Sequence, residues 1–193
     1  MFQSSGASGN HLYVVSAEGG KARRISSGQE SELQPNWSPD GKWIYFLSDR
    51  TGAREIWRIP ADGGEASRVT GNGGEFARIA PERNELYFIR GSYGSLELWK
   101  QPLSGGAATR VETPPIYDWG FTIAGSRLYF TTGLAEGGYP VMALDLDSGN
   151  TETMARIGFS PFAKFTVSPD GEWLAYSQVE QLESDLMLVD RFR

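Results

Sequence analysis

The chain has 193 residues, 39% of them hydrophobic, with 6 Trp, 8 Tyr and 10 Phe, so it is long enough and apolar enough to bury a core. Eighteen basic against 24 acidic residues give a net charge of −6, a field that repels a phosphate backbone and argues against nucleic acid as a partner of this segment. With no cysteine, disulfides, thiolate metal sites and cysteine nucleophiles are excluded, and no apolar run approaches the roughly 18 residues that a membrane-spanning helix needs.

In chain order, the first residues lack the basic start and apolar core of a signal peptide. Phe2-Gln3-Ser4 lines up with Phe46-Leu47-Ser48, and Leu12-Tyr13-Val14-Val15 with Ile56-Trp57-Arg58-Ile59. Gly19-Gly20 and Ala22-Arg23-Arg24-Ile25-Ser26 then supply a turn and a short strand, so residues 11–26 read as the last two strands of a repeat. The next copy, 33–70, predicts strands A to D at 33–38, 43–47, 55–59 and 67–69. Pro39-Asp40-Gly41 makes its A–B turn and Asp62-Gly63-Gly64 its C–D turn. Copies at 75–112 and 117–153 repeat Ile44-Tyr45-Phe46 as Leu86-Tyr87-Phe88 and Leu128-Tyr129-Phe130, each 42 residues on. A last copy, 163–190, holds Ser168-Pro169-Asp170-Gly171 and Leu174-Ala175-Tyr176. No window keeps a helical period, so about seventeen strands and almost no helix are expected. Trp37, Tyr45, Trp57, Tyr87, Trp99, Tyr129 and Trp173 are expected to pack between repeats.

Four short antiparallel strands per 40–45 residues are the signature of a β-propeller blade. The fold class is therefore all-β, a propeller segment of about four and a half four-stranded blades within the single unit 1–193. By this phasing the chain begins at the end of a strand B and ends after a strand C. One reading makes it a piece of a longer protein with an incomplete ring, whose unpaired ends invite edge-to-edge self-association. The other has residues 22–26 pair with the strand at 186–190 and close five blades irregularly.

Chemistry-bearing motifs are few. His11, the sole histidine, reads as a surface residue just before a strand. No Gly-x-Ser-x-Gly elbow occurs, since Gly158-Phe159-Ser160-Pro161-Phe162 lacks the final glycine. Asp145-Leu146-Asp147-Ser148-Gly149-Asn150 resembles the start of a calcium loop, but its glycine falls early and its closing glutamate is missing, so a hairpin turn is the better reading. Gly71-Asn72-Gly73-Gly74-Glu75 opens a strand rather than a helix and lacks a phosphate-cradling context. Asn36-Trp37-Ser38 is a glycosylation sequon placed inside an inner strand, where a glycan does not fit. No catalytic residue, metal or cofactor is assigned.

The Ser-Pro-Asp-Gly-Lys-Trp-Ile-Tyr-Phe run at 38–46 and the Ile-Trp-Arg-Ile-Pro-Ala-Asp-Gly-Gly run at 56–64 resemble the TolB-like, WD-type propeller repeat. The resemblance extends over nearly the whole chain. The same repeat builds the non-catalytic propeller of prolyl-oligopeptidase-type peptidases, and the closing stretch is similar to the end of bacterial regulators that join a winged helix to a propeller. The resemblance implies a non-enzymatic scaffold for a protein or peptide, often periplasmic. Its rivals are an accessory domain gating a peptidase encoded elsewhere, and a small-molecule or calcium sensor using the channel.

Propeller topology puts the B–C and D–A connections on one face. Those at 48–54, 91–95, 112–117, 131–140, 154–162 and 177–185 vary, whereas the opposite turns are stereotyped. The aligned inner-strand positions Gln34, Phe76, Asp118 and Lys164 differ chemically from one another and are the binding candidates at the channel mouth.

Overall fold

A computed structural model describes residues 2–6, 9–26, 30–92, 94–117, 120–158 and 165–176. Seventeen strands lie among these residues, in five antiparallel sheets. The first sheet holds β1 (Phe2–Gly6), β2 (Gly9–Val14) and β3 (Arg23–Arg24). Three four-stranded meanders follow: β4 (Glu32–Trp37) to β7 (Ser67–Arg68) through β5 (Trp43–Ser48) and β6 (Glu55–Pro60); β8 (Glu75–Ala80), β9 (Glu85–Ser92), β10 (Ser95–Pro102) and β11 (Thr109–Ile116); and β12 (Phe121–Ala124), β13 (Arg127–Thr131), β14 (Tyr139–Asp145) and β15 (Thr151–Ile157). The last described pair is β16 (Phe165–Val167) and β17 (Leu174–Tyr176). The one helical element among the described residues is a three-residue 3₁₀ turn, Pro81–Arg83. The four-stranded sheets give the all-β propeller fold that the repeat predicts. No ladder joins the first sheet to the last among the described residues, and the strand expected at 186–190 lies outside them.

The repeated triplet explains why the sheets stack. A strand turns alternate side chains to opposite faces, and both faces here meet another sheet. Ile44 and Phe46 pack with Leu12 and Ile25 of the preceding sheet, while Tyr45 and Leu47 pack with Ala77, Leu86 and Phe88 of the following one. One repeat later, Tyr87 and Ile89 meet Phe121, Leu128 and Phe130. Each cluster thus belongs to two sheets, and no sheet buries its apolar side chains alone.

Tyr45, Tyr87 and Tyr129 are buried as expected, and Trp57 and Trp99 are half-buried. Two tryptophans depart from the expectation. A one-residue bulge in β4, between Leu33 and Asn36, reverses the alternation and turns Trp37 toward the preceding sheet. That sheet has three strands among the described residues, and Trp37 stays 37% exposed. Trp173 takes the place of Trp43 on the face turned away from the preceding sheet; no described strand covers it, and it is 73% exposed. His11 also differs from its surface reading. It lies within β2, paired opposite Ser4, and is buried with Nδ1 3.0 Å from Nη2 of Arg24.

The Ser-Pro-Asp-Gly motif works as a hydrogen-bonded unit. Ser38 Oγ donates to Asp40 Oδ1 at 2.6 Å and accepts from the Trp43 N–H at 2.9 Å, while the Lys42 N–H donates to Asp40 Oδ1 at 3.1 Å. Ser168, Asp170, Glu172 and Trp173 repeat every one of these bonds. In the degenerate second copy the 3₁₀ turn takes over, and Asn84 adopts the left-handed φ of 54° that Gly41 supplies at 69°. The calcium-like segment is a turn as well: Asp145 Oδ1 accepts from the N–H groups of Asp147 and Ser148 and from Ser148 Oγ.

Two measurements check this account. Phe88→Ala removes a fully buried ring between two sheets and should cost about 3–5 kcal/mol, whereas Trp173→Ala should stay within about 0.5 kcal/mol; urea unfolding of the two variants gives the difference. The Ser38 hydroxyl and then the Lys42 N–H hold the Asp40 carboxyl below its ordinary 3.8. A lowered folded value stabilises above the unfolded one, and that contribution is lost as pH falls through the lowered value. Wild type should therefore lose more stability than Asp40→Asn between about pH 5 and about pH 2, read from urea midpoints. Equal losses would remove the turn carboxylate as a contributor.

Candidate binding face

The inner strands carry the first part of the site. Gln34 and Phe76 both sit at bulges with left-handed φ values of 52° and 54°, an unfavourable conformation for residues with side chains. The bulges bring them together across neighbouring sheets. Gln34 Oε1 accepts the Phe76 N–H at 3.1 Å, and Asn36 Nδ2 donates to the Ala77 carbonyl at 3.2 Å. The sequon asparagine is thus half-buried and committed to a sheet-to-sheet bond. Arg78 Nη1 donates to the same Ala77 carbonyl at 2.9 Å, and burial pushes its guanidinium below its ordinary pKa. The other two candidates, Asp118 and Lys164, lie outside the described residues.

The B–C and D–A connections differ from their expectation in one respect. Strand β9 runs on to Ser92, which pairs with Ser95 at the start of β10, and β11 extends to Ile116, so most of 112–117 is strand. Only glycine fits at 91, with φ 114° and a Cβ that would fall 2.6 Å from the Ser95 carbonyl. β11 tolerates Pro114 and Pro115 because it is an edge strand: between its paired residues Val111 and Ile116 the chain bulges away from β10. The 131–140 connection folds on itself through an Ala135–Gly138 bridge and leaves Leu134 68% exposed. Beside it the rings of Tyr117 and Tyr139 lie 5.2 Å apart, and burial, then Tyr117, pushes the Tyr139 phenol up.

Charged groups missed in the sequence gather on both faces of the second sheet: Arg50 with the rings that face the first sheet, Arg90 with rings between the second and third. Arg50 lies over Phe46 at 5.2 Å and Trp57 at 4.7 Å; its Nη2 reaches Glu32 Oε1 at 2.9 Å and its Nε reaches Ser48 Oγ at 3.1 Å. Arg90 lies over Phe88 at 5.0 Å and Trp99 at 4.3 Å, with its Nε donating to the Gly73 carbonyl at 3.0 Å. Glu55 is buried and accepts from Thr70 Oγ1 at 2.5 Å, and Arg54 pairs with Glu75 at 3.1 Å. A cleft of about 230 Å³ opens among Arg54, Asn72, Gly73 and Arg90, and a second, of about 350 Å³, runs from Asn72 and Arg90 past Trp99 to Gln101. The glycine run at 71–74 was the only sequence signal for these clefts. Among the described residues no three His, Cys, Asp or Glu converge as a metal site would need.

Glu32 and Arg50 form a pair that is hardly exposed, at 1% and 18% of their side chains. Glu32→Ala should destabilise by about 3 kcal/mol because it strands a half-buried cation, and Glu32→Ala combined with Arg50→Met should recover part of that loss. Denaturant unfolding of both variants measures it; an equal or greater loss in the double variant would contradict the pairing.

Comparison with known proteins gives the same picture from another side. Residues 1–124 match the TolB beta propeller domain family. The Tol-Pal system protein TolB of Bordetella pertussis is 43% identical over 58 residues, which are 30% of this chain and 13% of that protein. TolB from Acinetobacter baumannii superposes with a TM-score of 0.71 at 22% identity, covering 86% of this chain and 42% of that one. A Mycobacterium tuberculosis puromycin-hydrolyzing peptidase superposes at 0.61 and 18% identity, covering 76% and 24%. Both structural likenesses are likenesses of fold. The chain spans a fifth or less of the curated relatives it matches. With the family match over 1–124 and the four-stranded sheets that its repeat builds, the chain belongs to the TolB beta propeller domain family.

Proposed function

We propose that this propeller is a non-enzymatic scaffold that presents its B–C and D–A face to a protein or peptide, as the sensory or interaction part of a larger bacterial envelope protein working in the periplasm. One observation carries the reading. The cleft among Arg54, Asn72, Gly73 and Arg90 opens on the face whose connections differ from blade to blade, while two of the opposite turns, at 38–43 and 168–173, repeat the same hydrogen bonds. Gln34, Phe76, Asp118 and Lys164 are the contacts proposed at the channel mouth. No helix among the described residues is long and apolar enough to cross a membrane. The likeness to TolB supports a binding role, since the Bordetella relative is named for the Tol-Pal system. The likeness to a puromycin-hydrolyzing peptidase supports a second reading, a propeller accessory to a peptidase domain.

The absence of native cysteine makes the test clean. Photocrosslinkers on single cysteines at Thr51→Cys and Leu134→Cys should capture a defined protein partner in envelope extracts, and one at Lys42→Cys on the opposite face should not. Capture from Lys42→Cys alone would overturn the assignment of the face. Capture of a peptidase domain would favour the second reading.

A further inference from the structure

The two best-formed blades contain the same device, and one of them lacks a part. In β4–β7 a guanidinium lies over the Phe46–Trp57 pair and ends on the buried Glu32 carboxylate. Forty-two residues on, the Phe88–Trp99 pair again carries a guanidinium, that of Arg90. The ladders fix the correspondence. Leu33 faces Leu47 and Glu32 faces Ser48; Glu75 faces Ile89, which puts Gly74 in the place of Glu32. Arg90 spends its Nε on the Gly73 carbonyl, and among the described residues neither Nη donates a hydrogen bond or meets a carboxylate.

Among the described residues no carboxylate takes this place. A Cβ on Gly74 would stand 3.1 Å from Phe88, 3.2 Å from Thr70 and 3.3 Å from Ile56. The neighbouring carboxylates are engaged: Glu55 with Thr70, Glu75 with Arg54, and Glu97 with Trp99 Nε1 and Arg110. The space beside Arg90 is the cleft of about 230 Å³, open to solvent and bordered by the amide of Asn72. Burial lowers the Arg90 pKa, while Glu55 and Glu97 act against that, so this cation is partly stripped of water. A planar guanidinium held over two rings and bordering an open cleft can take a carboxylate in two hydrogen bonds.

We propose that this cleft binds a carboxylate group, held by the Arg90 guanidinium with the Asn72 amide beside it, in the role that Glu32 plays inside the preceding blade. The carboxylate comes from an acidic side chain of a bound peptide or from a free dicarboxylate. The proposal rests on reading this face as a binding surface and adds the chemistry it recognises.

Amide and arginine-Nε NMR spectra of the 193-residue chain, titrated with glutarate and separately with the blocked tripeptides acetyl-Gly-Glu-Gly-amide and acetyl-Gly-Gln-Gly-amide, test it. Saturable shifts are expected at Gly73, Gly74 and Arg90 with glutarate, with the Glu peptide or with both, and none with the Gln peptide. Arg90→Gln should weaken binding at least about tenfold, as should Asn72→Asp, which offers Arg90 an internal carboxylate from an exposed loop position. Arg83→Gln, on the opposite face, should leave it unchanged. Binding of the peptide alone assigns an acidic segment as ligand, and equal binding of glutarate assigns the free carboxylate. Absent shifts, shifts scattered over other basic residues, or binding unaffected by Arg90→Gln and Asn72→Asp overturn the proposal. Glutarate shifts without crosslinks from Thr51→Cys would leave the site standing and the scaffold reading fallen; crosslinks without shifts would do the reverse.

Discussion

Burial of both faces of the inner sheets is the constraint on which the rest of this molecule depends. A strand carrying Ile44, Tyr45, Phe46 and Leu47 has no polar side to offer water, so it is stable only between two neighbours. Ile44 and Phe46 find one neighbour, Tyr45 and Leu47 the other, and the same division recurs at Leu86 to Ile89. Apolar burial of this kind sets no direction by itself. Polar bonds between sheets add it: Arg23 donates to the carbonyls of Ala61 and Asp62, Gln101 to that of Val69, and Arg83 pairs with Asp147.

The inner bulges show how local strain is absorbed by the stack. Placing Gln34 and Phe76 in left-handed backbone costs on the order of 1–2 kcal/mol each. In return the bulge aims the Gln34 amide at the next inner strand, where it caps the Phe76 N–H. The outer edges are managed differently. β3 and β7 are two residues long, β11 carries adjacent prolines, and both β11 and β15 bulge away from their partners. A short or buckled edge presents little continuous backbone to a second chain.

In the proposed reading, these two solutions leave binding to the rim. The A–B and C–D side is consumed by turn geometry, in which serine and aspartate satisfy the backbone. On the other side cations meet aromatic rings: Arg50 lies over Phe46 and Trp57, and Arg90 over Phe88 and Trp99. Arg50 and Arg90 stand at similar heights over equivalent rings, yet one is closed by Glu32 and the other opens on a cleft. In the proposed reading a propeller becomes specific through such substitutions, because a single lost carboxylate changes what the same frame can bind.

Repeat length, blade composition, turn positions and, among the described residues, the absence of long helices were all legible in the sequence. Each depends on spacing or on residues with a strong local preference: proline, aspartate and glycine at turns, aromatic and branched residues in strands. The strand-A bulges were not legible, so Trp37 was expected to pack between repeats, yet it stays 37% exposed; a one-residue insertion in a ladder leaves no mark on composition. His11 was misplaced for a related reason, since its burial comes from the sheet packed against β2 and not from its neighbours in sequence. The aligned positions Gln34 and Phe76 could be picked by phase, but that they bond to each other could not. By itself, the sequence determined the propeller class, because the pattern of period two repeated every 42 residues is a local property. Only the tertiary structure decided which charges are closed and which are open, because whether Arg90 meets a carboxylate depends on what another strand, sixteen residues away at Gly74, places against it.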